Sequence, residues 1–173
     1  MASGRLKILS CGGDERSAWA DIAILGTQPV VSPELAVLLL DHYPNLAEHA
    51  CKNAQGGARV QAQREPATFG DRIIGALLPH AVEHLAIELL VRAYPGQVFA
   101  GNTRWISRET QQMRVRISHP AQTALSEQRA TGPDTHEPQG STSPGSLIPL
   151  SSPSQAALFE AIELLNGLLA TCQ

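Results

Sequence analysis

Apolar and polar residues alternate with a period of two from Gln112 to Ser118, which predicts a half-buried strand with Met113, Val115 and Ile117 facing inward. A shorter run, Leu6 to Ser10, predicts another strand that stops at the following Cys-Gly-Gly-Asp, and Ala20 to Leu25 predicts a second short element. Elsewhere the period is helical. Ser32-Pro33-Glu34 reads as an N-cap followed by proline in the first turn, opening a helix that runs to about Tyr43, where Pro44 ends it. Pro79 fits the first turn of a longer helix reaching about Ala93, before Tyr94-Pro95-Gly96. Its residues Ala81, Val82, Leu85, Ala86, Leu89 and Ala93 form one broad apolar face, and Ile87, Leu90 and Val91 leave little polar surface elsewhere, so this helix is central and mostly buried. A last helix, capped by Ser154, presents Ala157, Leu158, Ala161, Ile162, Leu164, Leu165, Leu168 and Leu169 as its apolar face.

The connecting segments carry weaker signals. Leu46 to Asn53 reads as a helical piece closed by Gln55-Gly56-Gly57, and the polar, aperiodic stretch Ala58 to Thr68 reads as a loop. Asp71 is placed to cap a turn running to Leu78, and Gly101-Asn102-Thr103 reads as a turn. Residues 120–153 are rich in Pro, Gly, Ser, Thr and Gln with few large apolar side chains, so they are expected to form a mobile insertion before the last helix. The sum is an α+β fold. It is a single domain over residues 1–173, a small sheet packed with helices around the central helix.

Composition narrows the class. Lys plus Arg number 13 against 16 Asp plus Glu, a formal net charge of -3 with no basic run, so a nucleic-acid partner is not expected. Three widely spaced cysteines, Cys11, Cys51 and Cys172, argue against a disulfide framework and for a reducing compartment, the cytoplasm. The opening Met-Ala-Ser-Gly-Arg-Leu-Lys has no apolar leader, and the longest apolar runs, such as Leu35 to Leu40, are too short for a bilayer, so no membrane partner is expected.

The central helix carries the chemistry. His80-Ala81-Val82-Glu83-His84 sets two imidazoles four residues apart, one above the other on a helix, where both can offer a nitrogen to one ion. His-x-x-Glu-His is the inverted form of a zinc-hydrolase motif in which the two histidines hold Zn²⁺ and the glutamate, Glu83 here, is the general base for a metal-bound water. Two partly buried histidines held by hydrogen bonds are the alternative. Polar groups on so buried a helix need a partner, and either a metal or a network supplies it.

The surrounding segments point further. Pro44-Asn45-Leu46-Ala47-Glu48-His49-Ala50-Cys51, then Gly56-Gly57, then His80 to Leu89, then Val98-Phe99-Ala100-Gly101-Asn102-Thr103-Arg104 resembles, in the same order, the N-terminal domain of cyanophycin synthetase. That domain is known in some synthetases as a metallopeptidase that cuts cyanophycin, a poly-aspartate chain carrying arginine on its side-chain carboxylates. The resemblance implies zinc ligands at His80 and His84, a general base at Glu83 and a third ligand at Cys51. A thiolate with two imidazoles is also an acceptable zinc set on chemical grounds, leaving a position for water; a small buried hydrophobe is the other reading of Cys51. Glu88 is expected to orient His84 through its second ring nitrogen, with a surface or ion-pair role as the alternative. His49 is a reserve ligand, or a local hydrogen-bonding residue. The chain departs from the family in a longer Cys51 to His80 segment, the insertion before the last helix, and Ala100 and Asn102, which bears on substrate identity.

The resulting expectation is a zinc-dependent peptidase or amidase acting on cyanophycin or a related Asp-Arg peptide polymer, compatible with a homo-oligomer. The alternative is a binding module with a structural metal or none.

Overall fold

In a computed structural model of the chain, residues 5–14, 16–51, 68–118 and 152–172 are described. Four antiparallel strands, β1 (Arg5–Gly13), β2 (Ser17–Leu25), β3 (Ala100–Ser107) and β4 (Gln112–Ser118), form one sheet in the order β1-β2-β4-β3. Three helices, α1 (Pro33–His42), α2 (Leu78–Ala93) and α3 (Pro153–Thr171), complete an α+β domain. Helix α2 packs on β3 and β4 while α3 packs on β1 and β2, so both lie on one face of the sheet, and α1 rests against α3.

Strand alternation supplies the floor of the core: Ala18, Ala20, Ile22 and Ile24 of β2, with Met113, Val115 and Ile117 of β4, are all buried. Leu78, Val82, Leu85 and Ala86 of α2 meet them, each essentially inaccessible. At about 1.5–3 kcal/mol for each large apolar side chain removed from water, this face outweighs the modest propensities of the elements it joins. The burial expected of α2 holds over its first three turns, and Val91 to Ala93 are exposed.

The predicted cap of α1 is present: Ser32 Oγ accepts from the Leu35 amide at 3.2 Å, and Pro33 occupies the first turn. Several boundaries differ from the sequence reading. Strand β1 continues through Cys11-Gly12-Gly13, because β2 begins at Ser17 and pairs with it as far as Gly13 opposite Ala18. The connection turns on Asp14, whose carboxylate accepts from the amides of Arg16 and Ser17. Gly101-Asn102-Thr103 is not a turn but part of β3, held in register by β4, and the reversal lies at residues 108–111. The cap of α3 is Ser152, accepting from Gln155 at 3.3 Å, while Ser154 lies buried inside the helix. On the edge strand β1, the Asn166 amide of α3 bonds both Leu6 N–H and Leu6 C=O, at 2.9 and 3.0 Å. That amide stands in for a neighbouring strand.

Between α1 and α2, the described part of the expected helix over Leu46 to Asn53 is instead a 3-10 turn, Pro44–Glu48, followed by extended chain in which Ala50 bridges Thr68, while residues 52–53 and the expected closing Gln55-Gly56-Gly57 lie outside the described residues. A second 3-10 turn, Gly70–Arg72, contains Asp71, whose carboxylate accepts from Thr68 rather than capping a turn toward Leu78. The expected loop at Ala58 to Thr68 lies outside the described residues apart from Thr68, as does the expected insertion at 120–153 apart from Ser152 and Pro153, which open α3. Among the described residues, no helix is long and apolar enough to cross a membrane.

Candidate metal centre

His80 and His84 lie one turn apart on α2, and their Nε2 atoms are 3.1 Å from each other. The 3-10 turn at Pro44–Glu48 delivers Cys51 to the same point, with its Sγ 3.6 Å from His80 Nε2. All three donor atoms lie within 4.8 Å of one another, so one ion can touch all three. The approach depends on the chain around Phe69. Its amide bonds His49 C=O at 2.7 Å, its ring stacks on His84 at 4.1 Å between centroids and meets His80 edge-on at 5.7 Å. Next to it, a Cβ at Gly70 would lie 2.9 Å from the Ala47 backbone, so glycine permits the two 3-10 turns to close on each other.

Cys51 and His84 are buried and His80 is half-buried. Burial lowers the pKa of His80, with Arg72 adding to the effect. His84 is pushed down to about 3, by burial first and then by His80 and His49 beside it. Both rings are therefore neutral at pH 7, with lone pairs free for a cation. Burial raises the Cys51 thiol; Arg72 pulls the other way, and Glu83 adds a smaller push upward. A bound cation would displace that thiol proton.

Glu83 is buried next to His84 on α2, close enough to Cys51 for its charge to push the thiol upward, and is not among the clustered donors. The Thr103 hydroxyl of β3 donates to its Oε2. A Cβ at residue 101 would lie 2.6 Å from Oε1, so Gly101 is what lets the carboxylate sit against β3. Burial pushes Glu83 up to about 6, and the Thr103 hydrogen bond opposes that rise. A carboxylate in this range exchanges a proton near neutrality.

The expected pairing of Glu88 with His84 is absent among the described residues. Glu88 Oε1 instead accepts from Asn45 Nδ2 at 3.1 Å and Arg92 Nε at 2.6 Å, and Oε2 accepts from His49 Nε2 at 3.0 Å. Burial would raise this carboxyl, but the bonds from Arg92, Asn45 and His49 outweigh it and hold it below its ordinary value. The reason is positional. The turn at Pro44–Glu48 sets Asn45 and His49 over Glu88, the third residue of the row His80, His84, Glu88, and Arg92 reaches back one turn. His49 is thus tied to Glu88 and is not among the clustered donors. Buried His49 Nδ1 and His84 Nδ1 have no hydrogen-bond partner among the described residues.

Sequence reading did not assign roles to Thr103, Gly101, Phe69, Asn45 or Arg92. Asn45, Gly101 and Thr103 all fall inside the segments that carry the resemblance, which was the available signal. No family model, curated protein or solved structure matches the chain.

Proposed function

We propose that the chain is a zinc-dependent hydrolase of peptide or isopeptide bonds, with Cys51, His80 and His84 as ligands and Glu83 as general base. One observation carries this reading: three donors of zinc-ligand type meet with a carboxylate beside them. For metal distances of about 2.0–2.1 Å to nitrogen and 2.3 Å to sulfur, a tetrahedron has edges of about 3.3 Å between nitrogens and 3.6 Å between nitrogen and sulfur. The observed separations are 3.1 and 3.6 Å. Bound there, zinc supplies Lewis acidity and lowers the pKa of a coordinated water.

The protein's own groups do the rest. Thr103 fixes Glu83 Oε2, leaving Oε1 without a hydrogen bond among the described residues, free to take a proton and return it to the departing amine. Glu88 holds His49, and through it the segment that ends in Cys51. The substrate class, an Asp-Arg polymer such as cyanophycin, rests on the resemblance of the motif segments alone.

Metal analysis of protein purified without a histidine tag tests the site: about one zinc per chain in wild type, and little in Cys51→Ser or His84→Ala. Glu83→Gln should keep zinc and lose most release of product from cyanophycin. Equal turnover by both would remove Glu83 from the mechanism. A structural metal is favoured by the burial of Cys51 and His84, at 7% and 3% exposure, and predicts no hydrolysis in a broad amide panel despite bound zinc.

A further inference from the structure

The face of the sheet turned away from α2 and α3 has its own constellation. Because side chains alternate, Trp19, Asp21, Arg114 and Arg116 point away from the core that Ala18, Ala20 and Val115 enter. Asn102 and Arg104 of β3 join them. Register sets Arg104 directly opposite Arg114, and Arg116 between Trp19 and Asn102. Trp19, Asn102, Arg104, Arg114 and Arg116 line a cavity of about 490 Å³, with Asp14 and Ser17 at one end.

Like charges directly opposite each other on neighbouring strands repel, so the Arg104 and Arg114 pair is a cost to the fold. The carboxylates nearby offset this cost, since Asp21 attracts Arg104 as well as Arg114 and Asp14 attracts Arg116, but neither carboxylate hydrogen-bonds Arg104 or Arg116 among the described residues. Asp21 is held by Arg114, with bonds of 2.6 Å from Nε and 2.8 Å from Nη2. Asp14 is occupied by the amides of Arg16 and Ser17 and by the Ser17 hydroxyl. Arg116 donates only to Ser17 Oγ, at 3.1 Å, and neither Arg104 nor Asn102 makes a hydrogen bond or ion pair among the described residues. Beneath them Arg114, held by Asp21, lies over the Trp19 ring at 4.1 Å and forms the floor. What stands open above that floor is two guanidinium groups and an amide.

We propose that this cavity is a binding site for the phosphate group of a small phosphomonoester, with Arg104 and Arg116 gripping its oxygens and Asn102 donating a further bond. One guanidinium fork satisfies a planar carboxylate, whereas donors converging from two strands suit a tetrahedral group with three acceptor oxygens. The volume lies within the range of about 300–1,000 Å³ usual for small-molecule sites and exceeds what free phosphate fills, which is why an ester is inferred. The site stands apart from the metal centre and does not depend on the hydrolase reading. The two share one stretch of β3: Gly101 and Thr103 face Glu83, while Asn102 and Arg104 face the cavity.

Isothermal titration of the full chain with ribose 5-phosphate, inorganic phosphate and succinate, at 0.15 M salt, tests the proposal. Ribose 5-phosphate should bind saturably and more tightly than the other two. Arg104→Ala and Arg116→Ala should each weaken it by about tenfold or more, the effect of one lost charge-assisted hydrogen bond. Lys7→Ala, removing an exposed cation outside the cavity, should leave it unchanged. Because exposed Arg104 makes no hydrogen bond or geometric ion pair among the described residues, Arg104→Ala should melt close to wild type, which separates lost binding from lost folding. No saturable binding by any of the three, equal weakening in Lys7→Ala, or succinate binding as tightly as the ester would each overturn the proposal. Free phosphate binding as tightly as the ester would overturn the ester and reduce the site to one for inorganic phosphate.

Discussion

His49 Nε2 donates to Glu88 Oε2 at 3.0 Å, and that bond joins the segment ending in Cys51 to the helix that carries His80 and His84. A carboxylate only accepts, so the proton sits on His49 Nε2 and the geometry of the segment follows from the charge on Glu88. Glu88 is 1% exposed and receives bonds from three residues.

Removing this carboxylate should therefore weaken the fold. Glu88→Ala is expected to destabilise the fold by about 1–3 kcal/mol, the usual cost of leaving buried donors such as Asn45 and His49 unpaired, since the Arg92 left behind is 43% exposed. Its pH dependence has a definite sign. Since Glu88 titrates below its ordinary value of 4.5 in the folded protein, its contribution is complete above that value and is lost as pH falls through the depressed one. Denaturation of wild type and Glu88→Gln at pH 7 and pH 3 should show their difference shrinking with acid. A gap that stays constant would mean that the charge on Glu88 is not what stabilises the hub.

Gly101→Ala places a methyl group where the Glu83 side chain lies. Overpacking of this kind is expected to cost about 1–3 kcal/mol, and the displaced carboxylate should abolish hydrolysis while bound zinc is retained. Thr103→Val should act in the same direction by leaving Glu83 Oε2 without its donor. Thermal melts, zinc content and turnover measured together would separate these effects. Loss of zinc in either variant would place Glu83 or β3 in the ligand set instead.

Zinc should stabilise the protein by mass action, by about 4 kcal/mol when free metal exceeds its Kd a thousandfold. Chelation should lower Tm in wild type and leave Cys51→Ser and His84→Ala unmoved. A wild-type Tm indifferent to chelator would show that the three donors hold no metal in solution.

Asn166→Ala removes both bonds to the Leu6 backbone. The expected loss is about 1–3 kcal/mol from the backbone groups left unpaired, with faster amide exchange concentrated in β1. Uniform exchange across the sheet would argue that the edge is protected by other contacts.

Features set by neighbours along the chain were legible in the sequence. The fourfold spacing puts His80 and His84 on one helical row wherever α2 goes, Ser32-Pro33 starts α1 locally, and the alternation of Met113, Val115 and Ile117 sets the inner face of β4. The meeting of Cys51 with His80 followed from the resemblance and not from spacing, since 29 residues separate them and the approach depends on Phe69 and Gly70. Only the tertiary structure decided the rest. Gly101-Asn102-Thr103 has the composition of a turn and becomes strand because β4 supplies its hydrogen bonds. Glu88 is bound to His49 rather than His84 because a 3-10 turn, not a helix, follows Pro44. The arginines of the β3–β4 hairpin meet Trp19 and Asp21 only through the register of β4 with the distant strand β2, and a slip of one residue would send every side chain of a strand to the other face. Local spacing is written in the order of residues; pairing across the sheet is settled by which hydrophobic faces the folded chain can bury together.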